Sequence, residues 1–122
     1  MSPRASATAH ELSRIGLLAA LPGERLARLA ARMEREQVPA GKAVIEEGSD
    51  DDRFYVLLSG LMAVSQRDLG PRRVLRPGDS FGEVAAAMSV PRTATVRALS
   101  PATVASCDRE TFDEFIRPLF SD

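Results

Sequence analysis

From Pro39 onward the chain is punctuated by glycine and proline: "AGK", "EEGSDDD", "LSG", "LGP", "RPGD" and "LSP" follow one another at roughly 8–12-residue intervals. Between them lie short runs rich in apolar residues, "AVIEE", "RFYVLL", "LMAVSQ", "RRVLR", "ATVRA" and "ATVASC". Runs this short are poor material for stable helices and suit strands joined by tight turns. Many short strands at this spacing predict an antiparallel sandwich or barrel of the jelly-roll kind.

The ends of the chain have a different period. "ELSRIGLLAAL" puts Leu12, Ile15 and Ala19 on one helical face. "PGERLARLAARMERE" begins with Pro22 and repeats Leu26, Leu29, Ala30 and Met33 at helical spacing, with Arg and Glu opposite. The stretch "DRETFDEFIRPLF" predicts a last helix, with Asp108 as N-cap, an apolar stripe of Phe112, Phe115 and Ile116, and Pro118 as its stop or kink. The expected fold is mainly β with flanking helices: an antiparallel β-roll or jelly-roll barrel with N-terminal helices and a C-terminal helix. Residues 1–10 are expected to form a disordered tail and 11–122 one domain.

Charge and composition remove several function classes. Sixteen Lys and Arg face seventeen Asp and Glu, for a net charge of −1. A nucleic-acid surface needs a concentrated basic excess, so none is expected. The one histidine, His10, falls in the expected tail, and the one cysteine, Cys107, falls in "ATVASC". No Ser–His or Cys–His pair and no zinc ligand set can be assembled, so neither an enzyme nor a metal-dependent barrel is expected. Cys107 reads as a buried, inert thiol with no internal disulfide partner, which fits a reducing cytoplasm. No run approaches the roughly 18 apolar residues of a membrane helix. The acidic run "EEGSDDD" lacks the alternation of a calcium loop and is expected to be a solvated turn between strands.

One stretch asks for a ligand: "FGEVAAAMSVPRTATVRA", Phe81 to Ala98. Gly82 has no side chain to keep a ligand from the backbone. A short helix from Glu83 to Met88 would offer unpaired amides at its start, which favour an anion. The small Ala85 and Ala86 keep those amides accessible, and Pro91 stops the helix so that Arg92 arrives at the mouth of the turn. A guanidinium matches phosphate oxygens, Thr93 adds a hydroxyl, and a Glu83 carboxylate suits a sugar hydroxyl. A plain Glu83–Arg92 salt bridge is the competing explanation.

These residues resemble the phosphate-binding cassette of cyclic nucleotide-binding domains, F-G-E-x-A-L followed by P-R-x-A-x-V-x-A. The spacing from Glu83 to Arg92 is that of the kinase-regulatory and channel branches. "GKAVIEEGSDDDRFYVLLSGLMAVS" is similar to the family's G-x-x-I-x-x-E-G stretch and its F-Y-x-L-x-x-G strand pair, and "LRPGDSFGE" matches its approach to the cassette. The resemblance covers about residues 12–117. It implies a regulatory sensor of cAMP or cGMP, with no other cofactor, that signals through cassette and C-terminal helix movement to an effector domain in the same or another chain; oligomers are compatible with it. Glu83 would accept from the ribose 2′-hydroxyl, Arg92 would pair with the cyclic phosphate, and the amides of Ala85 and Thr93 would reach it. Gly82 would lie against the ribose, and Phe81, Val84 and Ala94 complete the ligand-binding set.

The departures bear on specificity and signalling. Arg73 stands where several members carry an apolar residue over the base, so its stem could pack on the purine, or its guanidinium stack on it, or it could face solvent. Thr93 permits cGMP without demanding it. Leu61 replaces a family glutamate away from the phosphate, and Ala87 replaces a larger apolar residue, implying looser packing under the cassette. The family's further helix, which closes over the base, does not follow Asp122, so a lid would come from a longer chain or a neighbour, or be missing. The alternative is a degenerate domain that keeps the fold as a protein-interaction module.

Overall fold

A computed structural model of the protein describes residues 5–120. The chain begins with α1 (Ala9–Ser13), a 3₁₀ turn (Gly16–Ala20) and α2 (Gly23–Arg32). The strands are β1 (Glu34–Val38), β2 (Ala43–Ile45), β3 (Phe54–Ser59), β4 (Met62–Gln66), β5 (Gly70–Leu75) and β6 (Ser80–Phe81). Helix α3 (Glu83–Met88) separates these from β7 (Thr95–Ala98) and β8 (Ala102–Cys107). The chain then turns through α4 (Arg109–Thr111), a π-helical turn (Phe112–Ile116) and a 3₁₀ turn (Arg117–Phe120).

The strands form two four-stranded antiparallel sheets, ordered β1-β8-β3-β6 and β2-β7-β4-β5. They make an open β-roll; the sheets do not close into a barrel as the jelly-roll expectation allowed. The run "FYVLL" is apolar throughout because β3 is buried on both faces. Phe54 and Val56 meet the helices, and Tyr55 and Leu57 face the space between the sheets. The helix-side core takes Leu12, Ile15, Leu18, Leu26, Leu29, Met33 and the C-terminal Phe112, Phe115 and Ile116. The inter-sheet core takes Val38, Ile45, Met62, Leu75, Phe81, Val96 and Val104.

Four sequence expectations change here. The expected single helix over 11–21 breaks at Ile15, which is extended, and Gly16 donates its N–H to the Gly78 carbonyl at 3.4 Å. Mid-helix glycine is unfavourable, and the 3₁₀ turn that follows buries Leu18 and exposes Ala19. Second, α2 stops at Arg32, and the charged "EREQV" becomes the edge strand β1. Third, residues 5–10 are ordered: Ala5 and Ala7 hydrogen-bond alongside β1, Ala7 is buried, and Thr8 and Glu11 form a capping box on α1. The expected disorder of residues 1–4 lies outside the described residues. Fourth, the last helix carries a π turn before Pro118. Proline cannot donate to the Glu114 carbonyl four residues back, and that carbonyl accepts from Arg25 Nη2 at 3.1 Å instead. Asp108 caps as expected, accepting from Thr111 N–H at 2.9 Å, and this bond holds its carboxyl below the ordinary range.

Candidate functional site

Strand β6 ends at Phe81, whose ring stacks on Tyr55 with centroids 5.1 Å apart and planes within 5°. Burial, helped by the Asp51 carboxylate, raises the Tyr55 phenol above its usual value, so it remains neutral. Gly82 then takes φ +88°, the left-handed region. A Cβ there would sit 2.8 Å from the Arg53 carbonyl oxygen and 3.1 Å from Arg92 Nη1, so glycine is required by both conformation and space. Helix α3 starts immediately; Ala86 N–H is the first to turn back, to the Gly82 carbonyl at 3.3 Å. The N–H groups of Glu83, Val84 and Ala85 precede that first helical bond.

The helix ends at Ser89, which adopts φ +55° although it is not glycine. Ser89 Oγ accepts from Arg109, and the Ala87 carbonyl accepts from Arg117 Nη2 at 3.0 Å. The C-terminal segment therefore grips the end of α3 at two points.

Beyond Pro91, the Arg92 side chain is only 3% exposed. Its Nη2 donates to the Arg53 carbonyl at 2.6 Å and to Asp51 Oδ2 at 3.0 Å, and its Nη1 donates to the Gly82 carbonyl at 3.2 Å. The carboxylate partner is thus Asp51 and not Glu83, whose side chain has no hydrogen bond or ion pair among the described residues. This corrects the expectation that "EEGSDDD" is only a solvated turn. Asp51 also accepts from Arg53 N–H at 3.1 Å, and the turn's backbone exchanges bonds with Arg92: Gly48 N–H to Arg92 O and Arg92 N–H to Ser49 O, both 2.8 Å.

Arg92 Nε is the one buried side-chain polar atom without an acceptor among the described residues. Buried donors are rarely left so, and each such exception asks for an explanation. Nearby, the N–H groups of Thr93 and Ala94 also donate to no protein acceptor among the described residues.

All the residues expected to bind ligand line one cleft: Arg73, Phe81, Gly82, Glu83, Val84, Ala85, Arg92, Thr93 and Ala94. Its remaining wall is Pro91, expected only as the stop of the helix, and Ile45, Val64 and Val96, which were not expected in the ligand-binding set. The signal for Val64 and Val96 was available in strand alternation, since the inward residues of β4 and β7 are those that reach the cleft. Arg73 sits opposite Val64 in the β4–β5 register and is exposed, and its side chain makes no hydrogen bond or ion pair among the described residues. The cleft therefore has an apolar wall, one guanidinium at depth, one at its rim, and a carboxylate with free lone pairs.

Cys107 lies elsewhere, fully buried under the helices, where desolvation pushes its thiol up to about 12. Among the described residues no cluster of His, Cys, Asp or Glu could hold a metal ion, and no helix is long and apolar enough to cross a membrane.

Comparison with known proteins gives the arrangement a family. The family model described as "Cyclic nucleotide-binding domain" matches residues 35–118. A "cAMP-dependent protein kinase regulatory subunit" from Aspergillus fumigatus is 36% identical over 109 residues, covering 88% of this chain and 26% of the relative. The "cGMP-dependent protein kinase egl-4" of Caenorhabditis briggsae is 32% identical over 114 residues, covering 88% of this chain and 15% of the relative. This chain thus spans about a quarter or less of their length. Among solved structures, "cAMP bound PfPKA-R (141-441)" superposes with a TM-score of 0.86 at 27% identity, over 91% of this chain and 39% of that one. The regulatory domain of Toxoplasma gondii PKA with cAMP gives a TM-score of 0.79 at 29% identity, over 90% and 45% of the two chains. With the family model covering most of the chain, including the cleft from Ile45 to Val96, the protein belongs to the cyclic nucleotide-binding domain family.

Proposed function

We propose that the cleft binds cAMP or cGMP reversibly and that the chain is a non-catalytic regulatory module. The observation that carries this is the buried Arg92 guanidinium, whose Nε has no protein acceptor in a cleft that also holds the unpaired amides of Thr93 and Ala94. These donors suit a phosphodiester with a single negative charge. Glu83, uncommitted at the α3 start, would accept from the ribose 2′-hydroxyl. Gly82 would lie against the sugar, with Phe81, Val84 and Ala85 beside it. The apolar Ile45, Val64 and Val96 and the Arg73 stem would cover the base.

Relatives described as kinase regulatory subunits support a signalling role, in which residues 11–122 form one sensing module answering to an effector in the same or another chain. Ligand shifts such a module only through unequal affinity for two states. Arg92 supplies a means: the phosphate competes with Asp51 and two carbonyls for one guanidinium. The grip of Arg109 and Arg117 on α3 would carry a cassette shift to the C-terminal segment. The buried, neutral Cys107 is compatible with a cytoplasmic setting.

Isothermal titration calorimetry with cAMP and cGMP tests the reading. Saturable one-site binding is expected for at least one of them. A folded protein that takes up neither at millimolar concentration overturns it in favour of an interaction module.

A further inference from the structure

A trans peptide is planar, with its carbonyl and the following N–H on opposite sides. Whatever holds a carbonyl therefore aims the next residue's N–H. The Thr93 carbonyl accepts from Gln66 Nε2 at 2.9 Å, which sets the direction of the Ala94 N–H. The Arg92 carbonyl accepts from Gly48 N–H at 2.8 Å, which sets the direction of the Thr93 N–H. The Gly48 N–H is itself aimed in the same way. Its peptide partner, the Glu47 carbonyl, accepts from Arg67 Nη2 at 3.1 Å.

Both chains of peptide planes start at adjacent residues, Gln66 and Arg67, at the end of β4. That end is fastened in place, because Arg67 N–H donates to Glu47 Oε1 at 2.9 Å and Glu47 N–H donates to Thr95 Oγ1 at 3.0 Å. Neither Gln66 nor Arg67 lines the cleft, whereas Thr93 and Ala94 do.

We propose that Gln66 and Arg67 are positioning residues for the anion site. They hold successive carbonyls outward and so present the Thr93 and Ala94 amides inward as a pair. Gln66 acts across one peptide plane and Arg67 across two. The proposal rests on the reading of the cleft as a cyclic nucleotide site, but its first test does not.

Amide ¹H–¹⁵N spectra of the ligand-free protein make that first test. Gln66→Leu is expected to shift Ala94 and leave Thr93 near its wild-type position. Arg67→Met is expected to shift Gly48 and Thr93 and leave Ala94. Amides that move together in both variants, or in neither, overturn the proposal whether or not nucleotide binds. Titration with cAMP and cGMP is the second test. Each variant is expected to bind about three- to tenfold more weakly, the range one hydrogen bond spans, with the melting temperature near that of wild type. For Arg67→Met the loss should persist in about 1 M salt, where the Debye length is about 3 Å and a distant charge no longer counts. Undiminished affinity in both variants, or an Arg67→Met loss that salt removes, overturns it. If the wild-type protein binds neither nucleotide, the ligand reading fails, and the amide pattern still decides the positioning.

Discussion

Two segments meet on Arg92, and they differ in how openly they announce it. Phe81–Ala98 carries its chemistry in one continuous stretch: glycine where the backbone must turn left-handed, small residues under a short helix, then proline and arginine. The acidic turn over residues 46–53 looks like ordinary surface and yet supplies Asp51, the Arg53 carbonyl and the backbone partners of Arg92. The first segment offers donors to a ligand. The second offers acceptors that, in the proposed function, compete with the ligand for the same guanidinium. What this teaches is that the Arg92 guanidinium is held by Asp51 and two backbone carbonyls, not by Glu83.

Removing the shared residue should have the largest effect. Arg92→Ala is expected to lower nucleotide affinity by at least tenfold, and by about a hundredfold if the full value of a charge-assisted bond, about 1.5–3 kcal/mol, is lost. Calorimetry checks it, with circular dichroism to confirm the fold. Unchanged affinity would remove Arg92 from the phosphate and leave the comparison without a centre.

Breaking the acceptor side alone should separate stability from binding. Asp51→Ala leaves a guanidinium that is nearly inaccessible without its counter-charge. Asp51 itself is partly exposed, so the cost is about 1–3 kcal/mol and not the larger value of a fully buried pair. Melting temperature should fall, and saturating nucleotide should raise it by more than in wild type, because the phosphate replaces the missing carboxylate. A ligand-induced shift equal to or smaller than that of wild type would show that Asp51 and the ligand do not share Arg92.

This asymmetry also explains what the sequence could reveal. The cassette residues Gly82, Glu83 and Arg92 lie in one short stretch, so their spacing carries the geometry. Asp51 is forty-one positions from Arg92, and one acid among five in "EEGSDDD" has no local mark that distinguishes it. The strands at glycine and proline intervals were legible because turns are local. Strand β1 was not, because "EREQV" sits at a sheet edge where charged residues are tolerated and its pairing with β8 is a long-range fact. The break at Gly16 and the ordering of residues 5–10 are likewise set by contacts with Gly78 and β1.

Within the first segment, Glu83→Gln sharpens the division of labour. Glu83 has no protein partner among the described residues to lose, so stability should hardly change. Affinity for nucleotides with an intact ribose should fall by about three- to tenfold, because the Gln amide oxygen still accepts and only the charge assistance of the bond is lost. Binding of 2′-deoxy analogues should fall less. Equal losses for the two ligand types would place Glu83 outside ribose recognition.

The smallest effect is expected at Arg73, where the cleft meets solvent and neither segment reaches. Its guanidinium is exposed and unpaired among the described residues, so it pays a high entropy cost to become fixed and gains little from a wet contact. Its donor fork can still discriminate bases. Guanine presents adjacent N7 and O6 acceptors, whereas adenine pairs N7 with an amino donor. Arg73→Ala should therefore weaken cGMP by about three- to fivefold and cAMP by less, a fraction of the roughly 1–3 kcal/mol that a well-formed bidentate contact contributes. Arg73→Met keeps the stem without the donors, and so separates packing on the purine from recognition of its edge. If Met restores both affinities, the stem is what matters. If it restores cAMP alone, the fork reads guanine. Unchanged affinities in Arg73→Ala would assign the side chain to solvent and leave base choice to Thr93 and the apolar wall.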